Sequence, residues 1–351
     1  MTKFPDSVYV QRIEAARAQA AAHGIAGLVF GPSAELAYLT GSWESTHERF
    51  SGLVIPTSGS PTYIAPAVDA GNLDVPVPVQ GWEDGQNPYA LVRAVLGSTD
   101  GFGVGSALEA THLLALQTAL DAPACLATPI LKELFMRKSP EEVAQLREAA
   151  AAIDAVHAQV SSLLIPGKTE TAIAAELHEL ILASGHTAVD FVIVGSGPNG
   201  GNPHHSHSSR KLKPDDIVVV DIGGTWGVGY HSDCTRTYFL NEPPAWYRVL
   251  EEAQRAAVAA VRPGVTAAYI DAIARSHIAD AGYGDSFIHR TGHGIGLSLH
   301  EDPFIMQGND LVLEPGMAFS VEPGMYFADC GARIEDIVVV TEDGCEVLNR
   351  C

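Results

Sequence analysis

The chain has 351 residues, of which 46% are hydrophobic and 18% are charged. This length predicts two domains, and the composition is ordinary for a soluble globular protein whose core needs no disulfide bonds. The net charge of −21, from 42 acidic and 21 basic residues, would repel nucleic acids and anionic membranes, so partners of both kinds are excluded.

The first part of the chain mixes short helix and strand patterns. Residues 1–23 predict an amphipathic helix, with neither the apolar run nor the cleavage site of a secretory signal. Strands and turns are predicted over 28–41, 50–59 and 61–69, and helices over 88–97 and 106–120. This alternation predicts a smaller α/β domain over residues 1–132.

A strong helix start follows the first domain. Ser139 as N-cap, Pro140 in the first turn and two acids after it predict a helix that ends at Pro166-Gly167. A second helix is predicted from Thr169 to about Ser184. We place the domain boundary just before these helices, so the second domain covers residues 133–351.

The second domain is rich in β-branched runs from residue 189 onward, with two helices near 244–261 and 266–282. Its helices and strands do not alternate one to one, which favours α+β over a doubly wound parallel sheet. Each half offers helices followed by strands that carry acids, which suggests a weak duplication.

Two of these acids lie on neighbouring predicted strands. Asp221 ends the buried-looking run DIVVVDIGG, where a carboxylate needs a partner. Asp233 follows in HSDCTRTYFL, and the glycines between them predict a hairpin. Folding the hairpin brings the two carboxylates together, although salt bridges would explain two acids alone. Cys234 alternates to the opposite strand face, so we expect it to be packed.

Further candidates come from three later segments. HRTGHGIGLSLHE carries His289, His293 and His300, and its glycines allow close backbone approach. A lone histidine is usually core or surface, but three spaced by glycine favour a site. SVEPG supplies Glu322, and ARIEDIVVV supplies Glu335 within an apolar predicted strand.

Four buried-looking carboxylates and one imidazole can share a cleft only if cations neutralise them. Two divalent ions match this charge, and oxygen-rich ligation suits Mn²⁺, Co²⁺ or Fe²⁺ better than a thiolate-type zinc site. Two metals about 3.5–4 Å apart can activate a hydroxide and polarise a carbonyl. The sequence therefore predicts a hydrolase.

These ordered motifs (VVVDIGG, SDCTRT, TGHGIGLSLHE, SVEPGMY and ARIEDIVVV) resemble the pita-bread metallopeptidases, which include methionyl aminopeptidase, aminopeptidase P and prolidase. The RKSPEE helix start and the smaller first domain resemble the proline-specific branch. The resemblance covers essentially the whole chain. It implies a pita-bread catalytic domain behind a creatinase-like N-terminal domain, and a homodimer.

The resemblance implies a ligand set for two ions, with Mn²⁺ favoured and Co²⁺, Fe²⁺ or Zn²⁺ as alternatives. Asp233 and Glu335 would bridge both ions, and Asp221 would bind one of them. His293 and Glu322 would bind the other, and Glu322 would also accept a proton from the nucleophile.

Five further residues have implied roles around the substrate. His204 would contact it near the scissile bond, with His205 as the alternative match. His289 and His300 would contact it around proline, with His300 helping to stabilise the oxyanion. Arg333 would orient the ligand carboxylates. Tyr326 would lie beside Arg333 or serve as a core aromatic.

Two departures from the family pattern bear on function. The spacing of Asp221 and Asp233 is one residue longer than usual. Phe304 stands where some prolidases place an arginine that binds the carboxylate of a dipeptide, which weakens the case for strict dipeptide specificity.

The sequence therefore predicts an Xaa-Pro dipeptidase (prolidase) that acts on Xaa-Pro dipeptides. A cytoplasmic location is also predicted, because the cysteines without regular spacing indicate a reducing compartment. Aminopeptidase P is the alternative. Methionyl aminopeptidase needs no first domain, and a metal-free creatinase-like hydrolase needs no intact ligand set. An inactive binding module on the same fold is the alternative of another class, and it should have lost ligands.

Overall fold

The computed structural model describes residues 3–97 and 100–351. The chain divides into two compact units, Met1–Phe135 and Met136–Cys351. Among the helices of the described ranges, none combines the length and the apolar character that crossing a bilayer would require.

The first unit is built on one sheet of mixed direction. Its helices are α1 (Asp6–Ala22), α2 (Ala34–Thr40), α3 (Ala67–Ala70), α4 (Pro88–Leu96), α5 (Ala110–Leu120) and α6 (Thr128–Met136). Its strands are β1 (Gly27–Phe30), β2 (Gly52–Pro56), β3 (Thr62–Pro66), β4 (Val79–Trp82), β5 (Phe102–Val104) and β6 (Ala124–Leu126). The strand order is β4-β3-β2-β1-β5-β6, and β5 pairs in parallel with both β1 and β6. The predicted α/β class is confirmed.

One prediction for this unit is wrong in part. The sequence predicts strands and turns over 28–41, but α2 occupies its second half. Ser33 caps α2 by accepting a hydrogen bond from the backbone N–H of Leu36, and Gly41 ends it with φ 74°. The helix is buried over most of its length, and a short buried helix shows no polar face to distinguish it from a strand.

The second unit has four long helices and three sheets. The helices are α7 (Pro140–Leu163), α8 (Glu170–Ala183), α9 (Tyr247–Ala260) and α10 (Ala267–Asp280), with 3₁₀ turns at Gly197–Gly201 and Gly284–Ser286. The strands are β7 (Ala188–Ser196), β8 (Ile217–Trp226), β9 (Tyr230–Phe239), β10 (Gly292–Gly294), β11 (Glu301–Ile305), β12 (Ala318–Val321), β13 (Gly324–Tyr326), β14 (Gly331–Arg333), β15 (Asp336–Val340) and β16 (Cys345–Val347).

These elements form two similar halves. In the first half, α7 and α8 share an apolar core with the antiparallel sheet β7-β8-β9. In the second half, α9 and α10 share a core with the sheet β11-β10-β12-β15-β16, and β13-β14 forms a separate hairpin. Each half is therefore a helix pair packed on a sheet, as the suggested duplication predicts.

The start of α7 follows the predicted signals. Ser139 and Glu142 form a reciprocal capping box, and Pro140 occupies the first turn. Glu142 also accepts a hydrogen bond of 2.6 Å from the hydroxyl of Tyr230 at the start of β9. This contact ties the first turn of α7 to the strand that carries Asp233.

Candidate active site

The hairpin β8–β9 places two acids on one face of its sheet. Asp221 pairs with Thr235, and Asp233 pairs with Gly223. Positions two residues apart on paired strands point to the same face, so Asp221, Asp233 and Thr235 share it. Gly227 and Gly229, both at positive φ, form the turn and accommodate the longer spacing between the acids.

His293 lies in β10, which runs between β11 and β12. A Cβ atom at Gly292 would overlap the carbonyl oxygen of Ser320, so this glycine lets the strand fit tightly. His293 Nδ1 donates to its neighbour's carbonyl, Gly294 O, at 3.1 Å. Its Nε2 therefore carries the lone pair, and it lies 3.2 Å from Glu322 Oε1 and 3.6 Å from Asp233 Oδ2.

Both glutamates lie at breaks between strands. Glu322 follows β12, as predicted, whereas Glu335 lies between β14 and β15, so its predicted position within a strand is wrong. The apolar run does form β15, but it begins one residue after Glu335. Thr235 Oγ1 donates to Glu335 Oε2 at 2.7 Å, and Ser320 Oγ donates to Glu322 Oε1 at 3.1 Å.

These side chains form one buried cluster of negative charge. Ligand atoms of Asp233, His293 and Glu335 all lie within 4.8 Å of one another. Burial raises the pKa values of Asp233, Glu322 and Glu335, and repulsion between neighbouring carboxylates raises them further. Asp221 Oδ1 and Glu335 Oε1 are buried without a hydrogen-bond partner among the described residues.

Buried carboxylate oxygens without partners are costly unless a cation compensates them. Carboxylates with one imidazole form a donor set that suits divalent first-row metals. The cluster therefore fits the predicted metal centre. A thiolate site is not formed here, because Cys234 points to the opposite strand face and lies in the apolar core.

A hydrogen-bond chain runs behind the cluster. Arg333 donates from Nη2 to Asp221 Oδ2 at 2.6 Å, from Nε to Thr235 Oγ1 at 3.0 Å, and from Nη1 to the Tyr326 hydroxyl at 2.7 Å. The Tyr326 hydroxyl lies 2.9 Å from His289 Nε2. Arg333 and Tyr326 are both buried, so Tyr326 links the acid cluster to His289.

The cluster opens into a pocket of about 650 Å³. Every predicted site residue except Tyr326 lines it, together with Asp190, Phe191, Ile193, Pro203, Arg290 and Leu299. Burial lowers the pKa of His300 to about 4, with added repulsion from His293 and Arg290, and burial also lowers the pKa of His289. Both imidazoles are therefore neutral near pH 7.

The structure shows that His204 and His205 have different surroundings. His204 lines the pocket, whereas His205 Nε2 lies 2.9 Å from Glu170 Oε2. Glu170 is fully buried and also accepts hydrogen bonds from Ser196 and Ser208. It therefore fastens both ends of the loop that carries His204.

Two of the residues that sequence reasoning missed bear directly on the function of this site. Glu170 looks like an ordinary acid in the first turn of a helix, and no local signal reveals its contacts with residues 196–208. Arg290 did offer a signal, because it lies between His289 and His293 in the histidine motif. Its guanidinium lies 4.5 Å from the centre of the Phe304 ring.

Comparison with known proteins identifies the family. Residues 144–342 match metallopeptidase family M24, and residues 12–136 match the creatinase/prolidase N-terminal domain. The chain is 51% identical to the "probable dipeptidase PepE" of Mycobacterium bovis, over 99% of this chain and 96% of that protein. It is 36% identical to the "Xaa-Pro dipeptidase" of Lactobacillus helveticus, over 88% of each chain.

A solved structure agrees. The crystal structure of a prolidase from Thermococcus sibiricus matches with a TM-score of 0.92 and 34% identity, over 98% of this chain and 97% of that one. The predicted creatinase-like first domain and pita-bread second domain are confirmed. The chain belongs to metallopeptidase family M24 and is an enzyme.

Proposed function

We propose that this enzyme is a dipeptidase that hydrolyses the bond between a first residue and a following proline. The observation that carries the proposal is the pocket that joins a buried acid cluster to the guanidinium of Arg290, which has no carboxylate partner among the described residues. The names of its relatives, a probable dipeptidase and an Xaa-Pro dipeptidase, support the same substrate class.

The residues of the cluster would hold two divalent ions, with Mn²⁺ as the proposed metal. Asp221, Asp233, His293, Glu322 and Glu335 would supply the ligands, with Asp233 and Glu335 central to the set because both lie beside His293. When bound, such ions polarise a scissile carbonyl and make water a stronger nucleophile at neutral pH.

The chain's own side chains would handle protons and substrate. Glu322 Oε1 is held by Ser320 at 3.1 Å, and we assign it as the acceptor of the proton from the attacking water. His300 and His204 line the same pocket. The neutral imidazole of His300 can donate a hydrogen bond to the oxyanion that forms from the scissile carbonyl, and His204 would contact the substrate beside it.

His289 has a different role, because both of its ring nitrogens are engaged. Nδ1 donates to Arg290 O at 2.6 Å, so Nε2 accepts from the Tyr326 hydroxyl at 2.9 Å. Tyr326 can donate this bond because it accepts one from Arg333. We assign His289 to substrate contact around proline rather than to proton transfer.

Arg290 supports the choice of a dipeptide. Among the described residues, Arg333 is the other guanidinium of the pocket, and it is already held by Asp221. The guanidinium of Arg290 contacts the Phe304 ring and forms no ion pair with a carboxylate of the described residues. A guanidinium is well suited to a carboxylate, and we propose that Arg290 receives the free carboxylate of the dipeptide's proline.

Phe304 favours the second candidate, an aminopeptidase P acting on longer peptides. The arginine that some prolidases place at this position is absent, and a longer substrate would carry its carboxylate elsewhere. The two candidates differ in whether Arg290 affects binding of the dipeptide more than binding of the tripeptide.

The test removes metal with a chelator, restores Mn²⁺, and compares an Xaa-Pro dipeptide with an Xaa-Pro-Xaa tripeptide. Arg290→Met should lower kcat/KM for the dipeptide about 10- to 100-fold, mainly through KM, since a hydrogen bond to a charged group contributes about 1.5–3 kcal/mol. Tripeptide cleavage should change little. Arg147→Met, which removes an exposed ion pair with Glu346, is the matched control.

A preference for the tripeptide, with equal effects of Arg290→Met on both substrates, would make the enzyme an aminopeptidase P. No cleavage of either peptide by the Mn²⁺-loaded protein would contradict the proline-specific proposal and leave a hydrolase of another specificity. Homodimer formation and a cytoplasmic location stay predictions.

A further inference from the structure

Two thiols meet beside the face of β9 that points away from the acid cluster. The Sγ atoms of Cys234 and Cys351 are 3.8 Å apart. Cys234 is fully buried, whereas Cys351 is exposed. A carboxylate oxygen of Asp154 lies within 4.8 Å of both sulfur atoms. One thiol is thus open to solvent reagents, and its neighbour is protected.

The segment that carries Cys351 is fastened in place before any covalent bond forms. Asp154 accepts a hydrogen bond of 3.0 Å from Asn349 Nδ2 and one of 2.5 Å from the backbone N–H of Arg350. Arg236 Nε donates to Cys351 O at 3.0 Å. These three contacts hold the exposed thiol against Cys234 in the folded protein.

The surroundings favour a covalent bond over a bound cation. Both Asp154 oxygens already accept hydrogen bonds, and the Arg236 guanidinium next to Cys351 would repel a metal ion. A disulfide needs the sulfur atoms about 2 Å apart. The exposed Cys351 side chain can move by the remaining distance without disturbing the buried strand.

We propose that Cys234 and Cys351 form a redox-reactive pair, a modification site oxidised by a peroxide. The thiolate of Cys351 would attack one oxygen of hydrogen peroxide, giving a sulfenic acid and, with a proton, water. The Cys234 sulfur would then displace the hydroxyl group, which leaves as a second water after taking the Cys234 proton. Two thiols and one peroxide thus give one disulfide and two waters. The bond ties segment 345–351 to the strand of Asp233.

The test treats the reduced, Mn²⁺-loaded full chain with hydrogen peroxide, then counts free thiols after unfolding in guanidinium. The chain has five cysteines, so we expect five free thiols before treatment and three after it. Peptide mapping by mass spectrometry should find one species that joins the Cys234 and Cys351 peptides, and dithiothreitol should remove it. Oxidised protein should also unfold at a higher temperature, because the bond restricts the unfolded chain.

Cys351→Ser changes an exposed residue, so the variant should fold and should lose the joined peptide. Cys345→Ser, in the same segment, is the matched control and should still lose two thiols. The proposal is overturned if wild type keeps five thiols, if Cys351→Ser still forms a disulfide at Cys234, or if mapping joins Cys351 to a second chain.

Discussion

Arg333 Nη2 donates to Asp221 Oδ2 at 2.6 Å, while Asp221 Oδ1 is buried without a partner among the described residues. One oxygen of this carboxylate is therefore held by the protein, and the other is available for the proposed cation. The guanidinium fixes the orientation of the carboxylate, which is how outer residues tune metal sites.

Arg333→Lys should weaken Mn²⁺ binding about 10- to 100-fold. Lysine keeps the positive charge but cannot hold Asp221, Thr235 and Tyr326 in one plane. A loss of Mn²⁺ affinity would therefore come from the geometry of the guanidinium and not from its charge. Calorimetric titration of metal-free protein measures the effect. Arg147→Lys, at an exposed ion pair, is the control, and equal Mn²⁺ affinities for both variants would refute the assigned role.

Glu335→Gln should abolish metal-dependent hydrolysis yet stabilise the metal-free protein. Burial and the charges of Glu322 and Asp221 raise the pKa of Glu335, so its anion is unfavourable without cations, and a neutral amide removes that cost. A hydrolysis assay with added Mn²⁺ and urea unfolding of the metal-free protein test the two parts. Glu342→Gln, at an exposed position, should change neither, and full activity in Glu335→Gln would contradict the ligand assignment.

Glu170→Gln should raise KM about tenfold, equivalent to about 1.4 kcal/mol of binding free energy, with unchanged metal content. Burial tends to raise the pKa of Glu170, but hydrogen bonds from Ser196, Ser208 and His205 lower it to about 2. The charged form therefore fastens the loop of His204. Glu176→Gln lies on the same helix at an exposed ion pair with Lys168 and serves as control. A fall in kcat alone, with KM unchanged, would speak against a positioning role.

His157 should make the protein less stable in mild acid. Burial lowers its pKa to about 4, against about 6.5 in an unfolded chain. Between these values the unfolded chain binds more protons, so stability falls as pH drops below 6.5. Between pH 7 and pH 5, His157 should lower the free energy of unfolding by about 2 kcal/mol.

Urea unfolding of metal-free wild type and His157→Gln at both pH values measures that difference. Between pH 7 and pH 5, the free energy of unfolding of the variant should fall by about 2 kcal/mol less than that of wild type. His178→Gln, on the exposed surface of α8, should behave like wild type. Parallel losses in wild type and His157→Gln would show that this histidine is not responsible.

The sequence predicted the positions that obey local rules. Ser139 and Pro140 specify the start of α7 through capping, and strand alternation correctly assigned Cys234 to the core face. The hairpin of Asp221 and Asp233 was predictable because glycines mark its turn. The extra residue between the two acids does not change the pairing of the strands, because Gly227 and Gly229 accommodate it in the turn.

Contacts between distant segments were not predictable. Glu170 meets residues 196–208 only after α8 packs on β7, and Arg290 meets Phe304 only when two strands align. A single sequence carries no signal for such tertiary contacts. Glu335 was placed within a strand because its neighbours are apolar, although the chain breaks there to aim the carboxylate inward.

The proposed metal ligands come from both halves of the second unit, in unequal numbers. Asp221 and Asp233 come from the half built on α7 and α8, whereas His293, Glu322 and Glu335 come from the half built on α9 and α10. Neither half alone holds a complete set. If these residues bind the metals as proposed, turnover requires that both halves have packed together in register. Enzyme activity would then measure correct assembly of the second unit.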